Sequence, residues 1–120
     1  MVYSKDTALK VAEYLLEIKA IKLNPQEMYT WASGMKSPIY CDNRIVLSHP
    51  DARMLVKKAL AEASTRFGDF DVVAGVATAG IAHGALLADI LDKPFIYVRS
   101  SRKAHGRQNL IEGEMKEGAK

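Results

Sequence analysis

The chain has 120 residues, with 17 Lys and Arg against 14 Asp and Glu and a single cysteine. That length holds one ordinary domain at most, and a net charge of +3 is too mild to demand nucleic acid as a partner. Cys41 alone excludes an intramolecular disulfide, no Cys/His cluster has metal-ligand spacing, and no apolar run approaches the roughly 20 residues that span a membrane. The opening Met1-Val-Tyr-Ser-Lys-Asp lacks the plan of a secretion signal, so the expectation is a cytoplasmic protein with no membrane contact.

In chain order, residues 5–20 place Ala8, Leu9, Ala12, Leu15, Leu16 and Ile18 at helical spacing, entered from Ser4 with Asp6 in the first turn. Ile21–Leu23 reads as a short strand and Asn24-Pro25-Gln26-Glu27 as a turn. Tyr29–Trp31 and Ile39–Asp42 read as the two strands of one hairpin, joined through residues 32–38. Ser33, Lys36 and Ser37 are either turn chemistry or groups facing a polar substrate, while Trp31 and Tyr40 are expected to pack. Ser48-His49-Pro50-Asp51 opens a second helix, with His49 as a cap and an acid at the positive end of the dipole. Its apolar face runs from Ala52 to Ala63 and stops at Phe67-Gly68.

The most informative stretch follows. Val72–Val76 reads as a strand buried on both faces, Ala77-Thr78-Ala79-Gly80 as a tight turn of small residues, and Ile81 to Leu91 as a helix. Asp92-Lys93-Pro94 breaks that helix and Phe95–Val98 supplies a second strand, which makes a right-handed β-α-β unit with parallel strands. Ligands of open α/β sheets sit beyond the carboxyl ends of the strands, where helix N-termini offer unpaired N–H groups to anions.

Both carboxyl ends suit that role. The first strand runs into the small-residue turn. The second runs into Arg99-Ser-Ser-Arg-Lys-Ala-His-Gly-Arg107, where Arg99, Arg102, Lys103, His105 and Arg107 stand without a large apolar side chain among them. A phosphate or pyrophosphate held between turn and loop is the expected ligand. Gly75 and Gly80 have the glycine spacing of a nucleotide P-loop, but Ile81-Ala82 stand where Lys and Ser/Thr belong, and no G-x-G-x-x-G occurs. Leu110–Gly113 reads as a strand and Glu114–Gly118 as a turn, after which a buried central strand is expected, so the sequence reads as cut rather than finished.

Three segments carry a family resemblance: Trp31-Ala-Ser-Gly-Met-Lys-Ser-Pro-Ile-Tyr-Cys-Asp-Asn-Arg44, Val73-Ala-Gly-Val-Ala-Thr-Ala-Gly-Ile-Ala-His-Gly-Ala-Leu-Leu-Ala88, and Tyr97-Val-Arg-Ser-Ser-Arg-Lys-Ala-His-Gly106 followed by Ile111-Glu-Gly113. Together they resemble bacterial orotate phosphoribosyltransferase, from about residue 8 to Lys120 in unbroken order.

The resemblance implies an incomplete type I phosphoribosyltransferase α/β fold. A parallel sheet with flanking helices is joined to a small N-terminal helix and hairpin subdomain, with residues 1–47 as the hood and 48–120 as the first part of the core. It implies transfer of a phosphoribosyl group from phosphoribosyl pyrophosphate (PRPP) to orotate with Mg²⁺ as cofactor, in a homodimer whose loop reaches the neighbour's site. Arg99, Lys103 and His105 match the PRPP-contacting loop residues, with Lys103 the catalytic cation and His105 a candidate proton donor. Ala77-Thr78 matches the pyrophosphate turn, and Lys36 to Tyr40 the segment by the orotate pocket. No residue is assigned to metal.

Ser100 stands where some members have lysine. The family's apolar strand with two acids and a Thr/Gly-rich turn would begin after Lys120, so the chain alone is expected to be inactive. A noncatalytic module of the same fold that binds PRPP or pyrophosphate is the alternative.

Overall fold

The computed structural model describes residues 4–101 and 110–120. The chain divides into two compact units, Met1–Leu55 and Val56–Lys120.

In the first unit, helix α1 spans Lys5–Glu17, and the Ser4 hydroxyl accepts from the Thr7 N–H at 3.3 Å to cap it, as the sequence predicts. It ends two residues after Leu15, with Lys19 in a left-handed conformation. Strand β1 (Ile21–Leu23) then pairs antiparallel with β4 (Ile39–Cys41), while β2 (Tyr29–Thr30) pairs antiparallel with β3 (Lys36–Ser37).

The expected single hairpin of Tyr29–Trp31 with Ile39–Asp42 is therefore corrected. The tight turn closes at Trp31–Met35, where the Trp31 N–H donates to the Met35 carbonyl at 2.9 Å and Gly34 takes φ +84°. Pro38 lies between β3 and β4 and has no N–H to continue a ladder. Its carbonyl instead accepts from Asn24 at 2.8 Å, on the β1 side, so the chain changes partner there. Trp31 Nε1 donates to the Ile39 carbonyl at 3.1 Å and ties the two strand pairs together. Trp31 and Tyr40 remain exposed rather than packed in a core, although the Tyr40 and Tyr29 rings meet at 5.6 Å.

Residues 43–48, to which the sequence reading gave no element, form 3₁₀ turns capped by the Asp42 carboxylate, and bury Val46. Helix α2 spans Pro50–Ser64 with Asp51 in its first turn. His49 acts there through its backbone, its N–H donating to the Val46 carbonyl and its own carbonyl accepting from Arg53.

The second unit contains the β-α-β unit. Strands β5 (Val73–Val76) and β6 (Phe95–Val98) are parallel, with α3 (Ala79–Leu91) between them in sequence, and β7 (Ile111–Glu112) adds antiparallel to β6. Asp92, in the left-handed conformation, closes α3 by donating its N–H to the Ala88 and Asp89 carbonyls.

Backbone packs on backbone here. A Cβ at Gly75 would fall 2.7 Å from the Gly80 carbonyl oxygen, and one at Gly84 would fall 2.8 Å from the Phe95 ring and 3.2 Å from Gly75 Cα. The glycine spacing that mimics a P-loop thus serves close helix–strand approach. One expectation fails: β5 is not buried on both faces. Val73 and Gly75 are buried, but Ala74 and Val76 on the opposite face are exposed, Val76 by 66%. Glycine contact with α3 covers one face, and among the described residues no helix covers the other.

Candidate functional site

Parallel pairing of β5 with β6 brings two of the predicted segments to one end of the sheet. The register Val76↔Val98 ends the ladder, and the Ala77 N–H then donates to the Val98 carbonyl at 2.8 Å. Ala77 therefore stands across from the start of Arg99, and the small-residue turn and the cationic segment leave neighbouring strand ends.

Ala77 and Thr78 form the turn into α3, joined by a cis peptide. Thr78 is exposed and occupies the N-cap position without using its side chain to cap the helix. The first N–H groups of a helix have no carbonyl one turn back, so this end presents donors and the positive end of a dipole. Among the described residues the Ile81 N–H donates to the Thr78 carbonyl at 3.2 Å.

Arg99 is rooted by its own N–H, which donates to the Leu110 carbonyl at 2.7 Å, and its side chain is half-buried. Its Nη1 lies 3.8 Å from Glu112 Oε1. Lys103 and His105, expected to supply the catalytic cation and proton donor, lie outside the described residues, as do Arg102 and Arg107. His83 is half-buried in α3.

Lys36 and Tyr40 belong to the first unit, Lys36 exposed on β3 opposite Thr30 and Tyr40 on β4 opposite Lys22. Next to them Asp42 grips Arg44 with two bonds, 2.7 Å to Nε and 2.8 Å to Nη2. That guanidinium holds the Asp42 carboxyl below the usual carboxylate range and keeps Arg44 charged.

Sequence reasoning missed Glu112. The sequence reads Leu110–Gly113 as a strand and names no partner for it. The missing signal was that a short apolar run returning after a loop pairs back on the strand before it, here β6, which sets Glu112 opposite Tyr97 and beside Arg99.

A cleft of about 700 Å³ is lined by Asp71, Val72, Pro94 and residues 114–119. It lies at the amino ends of β5 and β6, opposite to the turn and Arg99. Among the described residues no group of three or more His, Cys, Asp or Glu is placed to hold a metal ion. No described helix is long and apolar enough to cross a membrane.

No protein-family model matches the chain. It is 58% identical over 111 residues to orotate phosphoribosyltransferase of Porphyromonas gingivalis, an alignment that covers 92% of this chain and 53% of that protein. Among solved structures, the orotate phosphoribosyltransferase of Aeropyrum pernix superposes with a TM-score of 0.72 at 32% identity, covering 85% of this chain and 56% of that one. UMP synthase of Leishmania donovani superposes with a TM-score of 0.75 at 28% identity, over 93% of this chain and 23% of that one. The chain spans about half the length of the curated relatives it matches.

Proposed function

Since the chain belongs to the orotate phosphoribosyltransferase family over the stretch it spans, we propose that the whole protein transfers the phosphoribosyl group of PRPP to orotate, releasing orotidine 5′-monophosphate and pyrophosphate. The observation that carries the reading is the Ala77–Val98 hydrogen bond. It joins the small-residue turn at the α3 N-terminus to the root of Arg99, at the end of the sheet where such folds take ligands.

The chemistry accounts for the residue types. As the bond from the ribose carbon to pyrophosphate breaks, negative charge grows on the leaving group and the carbon becomes cation-like. Donors aimed at the leaving group bind that transition state more tightly than the ground state. In this proposal the N–H groups after Thr78 hold the pyrophosphate, and Arg99 forms charge-assisted hydrogen bonds to it, each giving about 1.5–3 kcal/mol. Lys103 adds a second cation and His105 donates a proton. Lys36 and Tyr40 are assigned to the orotate side.

Mg²⁺ is the proposed cofactor. The described residues do not build a cage for it, and we assign it to the substrate's phosphates, whose negative charge it would offset. A cytoplasmic homodimer with shared sites completes the proposal.

The test is disappearance of orotate with PRPP and Mg²⁺ present. These 120 residues joined to the remaining half of the Porphyromonas gingivalis relative are expected to consume orotate, and the 120 residues alone to consume it negligibly. A folded chimera that leaves orotate untouched contradicts the proposal.

A further inference from the structure

We propose that Glu112 is a positioning residue for Arg99: it draws one end of the guanidinium along the β6–β7 pair and leaves the Nε donor for an anion. This rests on the functional reading above, in which Arg99 meets pyrophosphate.

The placement follows from register. Tyr97 faces Glu112 and Val98 faces Ile111 across the antiparallel pair. Arg99 lies two residues beyond Tyr97 and so shares its face, which makes Glu112 its diagonal neighbour. The main chain fixes both partners, since the Arg99 N–H donates to the Leu110 carbonyl at 2.7 Å. Gly113 follows with φ +107°, where a Cβ would fall 2.9 Å from Ile96 Cγ2, so the backbone after Glu112 is held against β6 as well.

On this frame the two side chains are 34% and 19% exposed, and Nη1 stands 3.8 Å from Oε1. That separation is an ion pair without a hydrogen bond; it orients the arginine without occupying its fork. The Arg99 Nε atom is buried and has no hydrogen-bond partner among the described residues. A buried donor in that state is stabilised by an acceptor that arrives with a ligand. Arginine on a free stem would lose rotamer entropy on binding an anion; here the carboxylate restrains it beforehand.

The experiment is ¹⁵N NMR of the Arg99 Nε–Hε group in the full 120-residue chain, with inorganic pyrophosphate as the probe. In the wild type this group is expected to be ordered and to shift on titration. In Glu112→Gln it should lose order, and the dissociation constant for pyrophosphate should rise roughly tenfold, the low end of what losing an orienting outer partner costs a bound ion. Glu112→Asp, which keeps the charge and shortens the reach, should fall between.

The sign is decisive, because removing a negative charge near an anion would by charge alone tighten binding. Unchanged order at Arg99, or pyrophosphate affinity equal to or tighter than wild type, overturns the proposal. Should Glu112→Gln fail to fold, a Glu112→Asp variant with Arg99 as ordered as in the wild type overturns it equally. If pyrophosphate leaves the wild-type Arg99 signal unmoved, the assignment of Arg99 to pyrophosphate fails instead, while the order of Arg99 in the variants still decides what Glu112 does.

Discussion

The two units pair their strands by different means. In Val56–Lys120 the parallel pair β5–β6 packs on α3 by backbone approach: Gly75, Gly80 and Gly84 let helix and strand touch, and the Phe95 ring lies where a Cβ at Gly84 would fall. In Met1–Leu55 the two strand pairs are joined by side-chain and single backbone bonds, Trp31 to Ile39 and Asn24 to Pro38, and most of the large apolar side chains along them stay exposed. The first kind of construction sets the start of α3 close against β5, and the second leaves aromatic and aliphatic side chains at the surface.

The same substitution made in both units sharpens that contrast. Gly75→Ala drives a methyl against the Gly80 carbonyl, which belongs to the main chain and cannot swing aside, and is expected to cost about 3 kcal/mol by urea unfolding. Gly34→Ala meets nothing within 4 Å and suffers only from its φ of +84°, so it is expected to cost about 1 kcal/mol. Equal losses at the two positions would break the contrast.

Arg99→Ala should weaken pyrophosphate binding by at least about tenfold in a calorimetric titration, from the loss of a charge-assisted donor. It should leave unfolding within about 1 kcal/mol of wild type, because the side chain is partly exposed and its ion pair long. Trp31→Phe keeps the ring and removes the bond to the Ile39 carbonyl, and a loss of about 0.5–1 kcal/mol is expected, confined to the first unit.

The smallest effect concerns pH. Arg44 lowers the Asp42 pKa in the folded chain, so the pair's contribution is present above the unfolded-state value and is lost as pH falls through the lower folded value. The Asp42 carboxyl carbon, followed by NMR, should titrate below a free aspartate, and Arg44→Gln should return it to the ordinary range.

These regions also differed in how far the sequence revealed them. The β-α-β unit was legible because its strands are short apolar runs on either side of a helix-spaced segment, and a parallel crossover leaves few choices of partner. The hairpin was misread because pairing between short strands depends on which carbonyl finds which N–H. Pro38, read only as part of a turn, diverts the chain to β1. Exposure of Ala74 and Val76 escaped the sequence for a related reason: a β-branched run shows that a strand can be covered on both faces, not that anything covers it. At the candidate site the turn and Arg99 were legible as residue types. Glu112 was not, since its place depends on the antiparallel return of β7.

The most direct test of the central claim, that the turn after β5 and the root of Arg99 form one anion site, is a backbone amide NMR titration with inorganic pyrophosphate. The largest shifts are expected to fall together on Thr78, Ala79, Gly80 and Arg99, with one shared dissociation constant. Shifts that spare Thr78–Gly80 or gather at the Asp71–Pro94 cleft would contradict it.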